Sequence, residues 1–509
     1  MRCLFITQEL APHFTEGGLG LSSTALPPAI QRCIDVEYTV ILPFYPWLVR
    51  RAGLQVVRIA EFPALRLGRR FEPASIYRAP ELGQGNEVLL VRSDAWYERG
   101  GGIYRDDDYV EYADARARSA FFGWTVFRWL NRQPRRYELI HGNDWQSGMA
   151  QFLIARDRQV RSLQTPALLY EIHSGFVGGK LPADSLEETL GLDQSGLTAV
   201  RQISNGQPSM KVLAMFSADA LVTCSRTYAR ELSQFFAGTP LAVPLSRLGI
   251  TGIVSGVDYE HWNPSQPHGL AEPYTAQQVD TAKPRNKLRL QQHFGLRVDP
   301  RAPVFCICSR LVPEKGMDLL VEVLPEILRQ SCAQVVVMGA GDRIYREAFA
   351  QLATDYPAAL IYRPAFDLPE ARLLYAGSDF TLMPSLLEPC GLNQLIAMRY
   401  GTIPVVSPVG GLHDTVPSLL EDPDHGSGFV LEQCTADALR VAIRQSIAWL
   451  ESSPEAVVKT QRRLMGLDWS WDRAAREYAL MYERLARRAR PQDVQPSARE
   501  PIHTPTSPE

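Results

Sequence analysis

Short β-branched and apolar runs alternate with helical stretches along most of this chain, and they do so in two separate series. Arg2–Thr7, Tyr38–Leu42, Val88–Val91, Leu139–His141, Ala167–His173 and Ala220–Cys224 read as strands of the first series. Val304–Ser309, Gln334–Gly339, Ala359–Tyr362, Phe380–Pro384 and Ile403–Ser407 repeat the pattern, with helical stretches such as Met317–Gln330 and Gly391–Tyr400 between them. Apolar strands divided by helices imply parallel sheets covered on both faces. Two such series predict an α/β protein of two doubly wound, Rossmann-like domains. A length of 509 residues is enough for two or three cores.

The most polar interval between the series is 263–289, which carries Pro264, Pro267, Pro273 and Pro284 and reads as a linker or hinge. The expected division is an N-terminal domain at 1–255, a hinge at 256–289, a C-terminal domain at 290–487 and a disordered tail at 488–509, where Pro, Ser and charge dominate. A net charge of −3 leaves no polyanion footprint, so nucleic acid is not an expected partner. No apolar run reaches the roughly 18 residues that span a bilayer, and the start, MRCLFITQEL, is too short an apolar run for a signal peptide. The eight cysteines form no CxxC pair. Cys306 and Cys308 alternate on one strand and so share a face, as core residues do. A reducing, cytoplasmic location is the simplest expectation.

Four segments carry candidate chemistry, each just beyond a strand. Thr15-Glu16-Gly17-Gly18-Leu19-Gly20 follows the first strand, and its glycines let a backbone approach a ligand while the next helix offers amides to an anion. Taken alone, a Gly-Gly after a strand is more often a plain turn. Ser309-Arg310-Leu311-Val312-Pro313-Glu314-Lys315-Gly316 sets two cations at a strand end, where Arg310 and Lys315 suit a diphosphate leaving group. The plain alternative is a solvated arginine and a lysine paired with Glu314. Glu388-Pro389-Cys390-Gly391-Leu392 opens a helix, so that Glu388 can accept from sugar hydroxyls while the amides of Cys390, Gly391 and Leu392 donate. Gly410 and Gly411 follow another strand and could bring further amides to the same edge. Ligands of open α/β sheets sit beyond the carboxyl ends of the strands.

With these segments in their order, the chain resembles the bacterial glycogen and plant starch synthases. The motifs TEGGL, HGNDWQSG, EIHSG, TYAREL, SGVDYEHWNP, SRLVPEKG, GAGD, LEPCGLNQL, YGTIPVV, GGLHDTV and SGFV carry the resemblance from near the N-terminus to about Ala486. It implies a GT-B-type fold with the active site in an interdomain cleft, and transfer of glucose from ADP-glucose, with UDP-glucose as the other donor, to an α-1,4-glucan with retention of configuration. It implies no metal, no cofactor and no assigned enzyme nucleophile. By the same resemblance Gly17 and Gly18 line the donor site, and Arg310 and Lys315 neutralise the donor diphosphate. Glu388 and the amides of Cys390, Gly391 and Leu392, with Gly410 and Gly411 nearby, hold the transferred glucose. His173 lies against the reacting anomeric carbon, and Asp144 is the cleft carboxylate of the N-terminal domain.

The match breaks at defined positions. The family's Lys-x-Gly-Gly-Leu-Ala-Asp has Thr15 at the lysine and Leu21 at the aspartate, and Glu16 adds an anion beside the gap. The asparagine after the cleft histidine is Ser174, and that of Asn-Gly-Val-Asp is Ser255. All four changes fall on the N-terminal side of the cleft or at the hinge. They leave a second expectation open: a catalytically impaired or donor-shifted relative that binds nucleotide-sugar or glucan as a regulatory protein.

Overall fold

A computed structural model describes residues 1–107, 110–134, 136–161, 166–175 and 178–489; the expected disordered tail lies outside them, apart from its first two residues. The first sheet contains β1 (Arg2–Ile6), β2 (Glu37–Pro43), β3 (Val57–Leu67), β4 (Arg70–Arg78), β5 (Glu87–Arg92), β6 (Leu139–Asn143), β7 (Ala167–Ile172), β8 (Ala220–Thr223) and β9 (Thr251–Gly252). Its spatial order is β3-β4-β5-β2-β1-β6-β7-β8-β9, parallel from β5 to β9 with an antiparallel β3–β4 extension. The second sheet contains β10 (Val304–Cys308), β11 (Gln334–Met338), β12 (Leu360–Arg363), β13 (Phe380–Met383), β14 (Ile403–Val406) and β15 (Phe429–Val430). Its order is β12-β11-β10-β13-β14-β15, parallel throughout. Two α/β domains are therefore present, as the alternation predicts.

In each sheet the strand order reverses beside the first strand of the series, at β1/β6 and at β10/β13. Such reversals open a crevice where loops of neighbouring strands diverge, and ligands settle there. The glycine loop and Asp144 follow β1 and β6; Arg310 and Lys315 follow β10, and Glu388 follows β13. Helix Met317–Gln330 shows how the second crevice is fixed. Met317, Leu320, Val323, Leu324, Ile327 and Leu328 form one buried stripe at helical spacing. Gly316 precedes it at φ 70°, and a Cβ there would stand 2.0 Å from Pro384 O, so only glycine lets the loops after β10 and β13 touch. Cys306 and Cys308 are both buried in this core.

Two segments carry more structure than the sequence suggests. The interval 263–289, read as a linker or hinge, is ordered and packs on the second domain. Trp262 packs edge-on against Tyr375 with centroids 5.8 Å apart, the Tyr274 hydroxyl donates to Tyr400 O at 2.8 Å, and Thr275 and Gln278 form a capping box that leads into helix Val279–Phe294. The prolines sit in turns and inside a helix whose apolar face joins the second core. The last helix, Trp471–Ala489, follows the second domain in sequence yet packs on the first. Its Trp471, Ala474, Ala475, Tyr478, Tyr482 and Leu485 lie in the core of the first sheet, and Arg32 pairs with Asp472 at 2.5 Å.

Candidate active site

On the second domain, Lys315 Nζ donates to Glu388 Oε2 at 2.6 Å, and Ser385 Oγ donates to the same oxygen at 3.0 Å. Lys315 therefore pairs with Glu388 rather than Glu314. Arg310 lies 3.6 Å from Glu314 and is nearly half exposed. Among the described residues, no protein acceptor takes the amides of Cys390, Gly391 or Leu392, so these donors stand open beside the Lys315–Glu388 pair. Gly410 and Gly411 differ. The Gly411 amide donates to Glu388 O at 2.9 Å and the Gly410 amide to Glu231 Oε1 of the first domain at 2.8 Å. Both amides are spent in holding the Glu388 loop and the domain contact.

On the first domain, Asp144 has φ 51° and ψ 179°, a conformation that costs a non-glycine residue about 1–3 kcal/mol and persists only where its surroundings demand it. Its amide donates to Glu171 O at 2.9 Å, and its Oδ1 accepts from the amides of His173 and Ser174, both at 3.3 Å. Burial raises the Asp144 carboxyl above its ordinary range, against the opposing charges of His173 and Lys211. The His173 ring has Nε2 3.0 Å from Asn143 Oδ1 and Nδ1 3.5 Å from Cys224 Sγ. Asn143 Nδ2 donates to Ile6 O, so its Oδ1 faces the histidine as an acceptor and Nε2 must carry the proton.

The two halves meet. Cys224, against His173, precedes Ser225, whose hydroxyl donates to Pro389 O at 2.6 Å. Thr227 donates to Asp414 through its amide at 2.8 Å and its hydroxyl at 2.6 Å. Thus TYAREL and GGLHDTV grip each other across the domains. A Cβ on Gly18 would stand 3.9 Å from Leu392 Cδ1, so the glycine loop faces the Glu388 loop directly. Glu171, His173 and Cys224 also bring potential ligand atoms within 4.8 Å of one another. The ring's two nitrogens face different partners, and burial keeps the Cys224 thiol well above its ordinary range, so this trio reads as hydrogen-bonded packing.

The altered glycine loop is built around Glu9. Its Oε2 accepts from the amides of Glu16 and Gly17 at 2.8 and 3.0 Å and from the Thr15 hydroxyl at 3.2 Å, while the Tyr104 hydroxyl donates to Oε1 at 2.8 Å. Glu16 accepts from the Ile103 amide. Lys211 is no freely placed replacement for the missing lysine. It donates to Ser174 O at 2.7 Å and Gly175 O at 2.5 Å, and burial pushes its ammonium down to about 8. Ser255, the residue in place of the family's asparagine, is buried and interacts with the Cys390 thiol of the Glu388 loop. Sequence reasoning missed Glu9, Glu231 and Glu171. For Glu171 a signal was present: a carboxylate in the otherwise apolar strand ALLYEI needs buried partners.

Comparison with known proteins agrees with this geometry. Residues 2–246 match the starch synthase catalytic domain and residues 289–462 match glycosyl transferases group 1. Glycogen synthase 2 of Geobacter sulfurreducens is 34% identical over 499 residues, covering 96% of this chain and 99% of its own. Glycogen synthase of Yersinia pestis strain Pestoides F is 36% identical over 501 residues, covering 95% and 100%. The catalytic domain of starch synthase IV from Arabidopsis thaliana, solved with ADP and acarbose, superposes with a TM-score of 0.83 at 23% identity, covering 96% of this chain and 99% of that one. Sucrose-phosphate synthase from Thermosynechococcus elongatus shares the fold at a TM-score of 0.59. Full-length identity above 30% to glycogen synthases, together with two matched domains closing on one cleft, shows that the chain is a glycosyltransferase of the glycogen and starch synthase family, built on the GT-B fold.

Proposed function

We propose that the protein is a retaining glucosyltransferase that moves glucose from ADP-glucose to the non-reducing end of an α-1,4-glucan. The observation that carries this reading is the Lys315–Glu388 pair at the second sheet's crevice, with three open amides beside it and His173 opposite. Breaking a nucleotide-sugar bond places negative charge on the departing diphosphate and positive charge on the anomeric carbon. Lys315 has three donors and can keep Glu388 while meeting a phosphate; Arg310 needs only to leave its weak contact with Glu314 to add a bidentate grip. Cations already in place stabilise charge that grows along the reaction. Glu388 and the amides at Cys390, Gly391 and Leu392 then suit the hydroxyls of the transferred glucose, and Gly17 and Gly18 close the donor side from the first domain. The domain division at 1–255 and 290–487, about a connection at 256–289, belongs to this reading, with the last helix returning to the first domain. So does a cytoplasmic location; among the described residues no helix is long and apolar enough to cross a membrane.

Release of ADP from ADP-glucose in the presence of glycogen tests the reading, and silence across a panel of nucleotide-glucose donors would overturn it. One observation favours the second reading, a donor-shifted or impaired relative. Thr15, at the family's lysine position, is turned onto Glu9, so the first domain supplies no cation from that loop. Turnover with UDP-glucose but not ADP-glucose, or tight nucleotide binding without turnover, would select it.

A further inference from the structure

Behind His173 lies a buried polar chain that none of the steps above uses. β6 and β7 run parallel with Asn143 opposite Glu171, so the strand period of two puts His141, Asn143 and Glu171 on one face of the sheet. Helix Trp471–Ala489 covers that face, and Tyr478 and Tyr482, four residues apart, point from it together. The Tyr478 hydroxyl donates to Glu171 Oε1 at 2.8 Å. His141 Nε2 lies 2.9 Å from Glu171 Oε2, and the Tyr482 hydroxyl meets His141 Nδ1 at 2.7 Å. His173 Nε2 stands 3.6 Å from Glu171 Oε1. His141, Glu171, Tyr478 and Tyr482 are 0–2% exposed.

A carboxylate in such a place is costly. Removing it from water commonly outweighs what its partners return, and apolar packing would hold the helix as well or better. Burial alone would raise the Glu171 carboxyl, but the charge of His173, the close approach of His141 and the Tyr478 hydrogen bond outweigh it and lower the group to about 2, so it is ionised at neutral pH. The remaining titratable groups packed around it do not offer a second anion at that pH: the Cys224 thiol and both tyrosines are held well above their ordinary ranges by burial. Asp144 lies beyond the His173 backbone and carries a raised carboxyl.

We infer that Glu171 is a positioning residue for glucosyl transfer: while Asn143 holds the tautomer of the cleft histidine, Glu171 stands 3.6 Å from His173 Nε2 and keeps a negative charge behind the ring. The inference rests on the reading of His173 as the wall beside the reacting sugar. On that reading, a fixed anion behind the imidazole favours the positive charge that develops in front of it, and the last helix, although distant in sequence, takes part by anchoring the carboxylate with Tyr478.

The test pairs Glu171→Gln with Tyr478→Phe, using the full chain. Nitrogen-15 NMR of histidine-labelled protein should show wild-type His173 with its proton on Nε2. Its ring-nitrogen resonances should move in Glu171→Gln, because the anion behind the ring is gone, and move less in Tyr478→Phe. In ADP-release kinetics, kcat should drop at least tenfold in Glu171→Gln and less in Tyr478→Phe, with KM for ADP-glucose within about threefold. A merely structural role would lower the melting temperature and leave the His173 resonances and the kcat of the folded fraction unchanged; that result overturns the inference. If Glu171→Gln does not fold, unchanged His173 resonances and kcat in Tyr478→Phe overturn it equally. The NMR arm reads the positioning even if wild type releases no ADP, so failure of the proposed function and failure of this inference are separable.

Discussion

Thr15 and Gly20 depart from the family motif together, and the structure makes them one change. The family carries lysine and alanine at these positions. Here a Cβ on residue 20 would lie 2.2 Å from Thr15 Oγ1, 2.6 Å from Thr15 Cβ and 3.1 Å from Glu9 Oε2. Thr15 Cβ moves only with its backbone, so Gly20→Ala must shift residue 15 and pull its hydroxyl off Glu9. Losing a hydrogen bond to a carboxylate costs about 1.5–3 kcal/mol, and alanine in place of glycine inside a helix returns about 1 kcal/mol. The net loss should be about 0.5–2 kcal/mol, read as a lower denaturant midpoint. Thr15→Lys alone brings an ammonium to the same seat, where Glu9 captures it, so kcat/KM for ADP-glucose should stay within about threefold of wild type. In Thr15→Lys with Gly20→Ala, the methyl group pushes residue 15 away from Glu9 and so carries the lysine toward the cleft. If that cation supplies about 1.4 kcal/mol to the transition state, kcat/KM rises about tenfold, a gain that neither single change shows. Steady-state ADP release over the four proteins of this cycle measures the coupling. A double variant no faster than the better single one would refute the reasoning.

Other expectations follow from the same contacts. Lys315→Ala should cost about a hundredfold or more in kcat/KM with circular dichroism unchanged, and near-wild-type kinetics would remove it from the donor site. Thr227→Val deletes one interdomain hydrogen bond to Asp414 and should raise KM for the donor more than it lowers kcat, as a donor titration would show. Lys211 gives a pH signature. Its ammonium pKa is about 8 in the folded chain against an ordinary 10.5, so between those values the unfolded state holds more protons and stability rises with pH. The burial penalty is fully present below pH 8 and relieved above it. Urea midpoints at pH 7 and 9.5 should therefore show Lys211→Met losing this part of the rise relative to wild type.

The two sheets were legible because buried parallel strands must be apolar, and runs such as VFCIC and ALLYEI advertise it. The cluster of Arg310, Lys315 and Glu388 was legible because these residues lie just beyond strand ends and within single motifs. What stayed hidden depends on contacts between distant segments. Nothing in the motif around Tyr478 says that its hydroxyl meets Glu171, more than 300 residues earlier. Proline-bearing 263–289 resembles a linker because the buried stripe of its helix carries Lys283, Asn286 and Lys287 among its apolar residues, so the periodic signal reads as polar. The amides of Gly410 and Gly411 look available in sequence, yet one is spent on Glu231 from the other domain and one on Glu388 O. Glu16, beside the missing lysine, looks like a source of repulsion, yet its carboxylate accepts from the Ile103 amide.

The central claim is most directly tested by the linkage the protein makes. Proton NMR of a maltooligosaccharide incubated with ADP-glucose and the wild-type protein should show growth of the α-1,4 anomeric signal, one new linkage for each ADP released, and no β anomer. ADP release accompanied only by free glucose, or by a β-linked product, would contradict retaining transfer to a glucan.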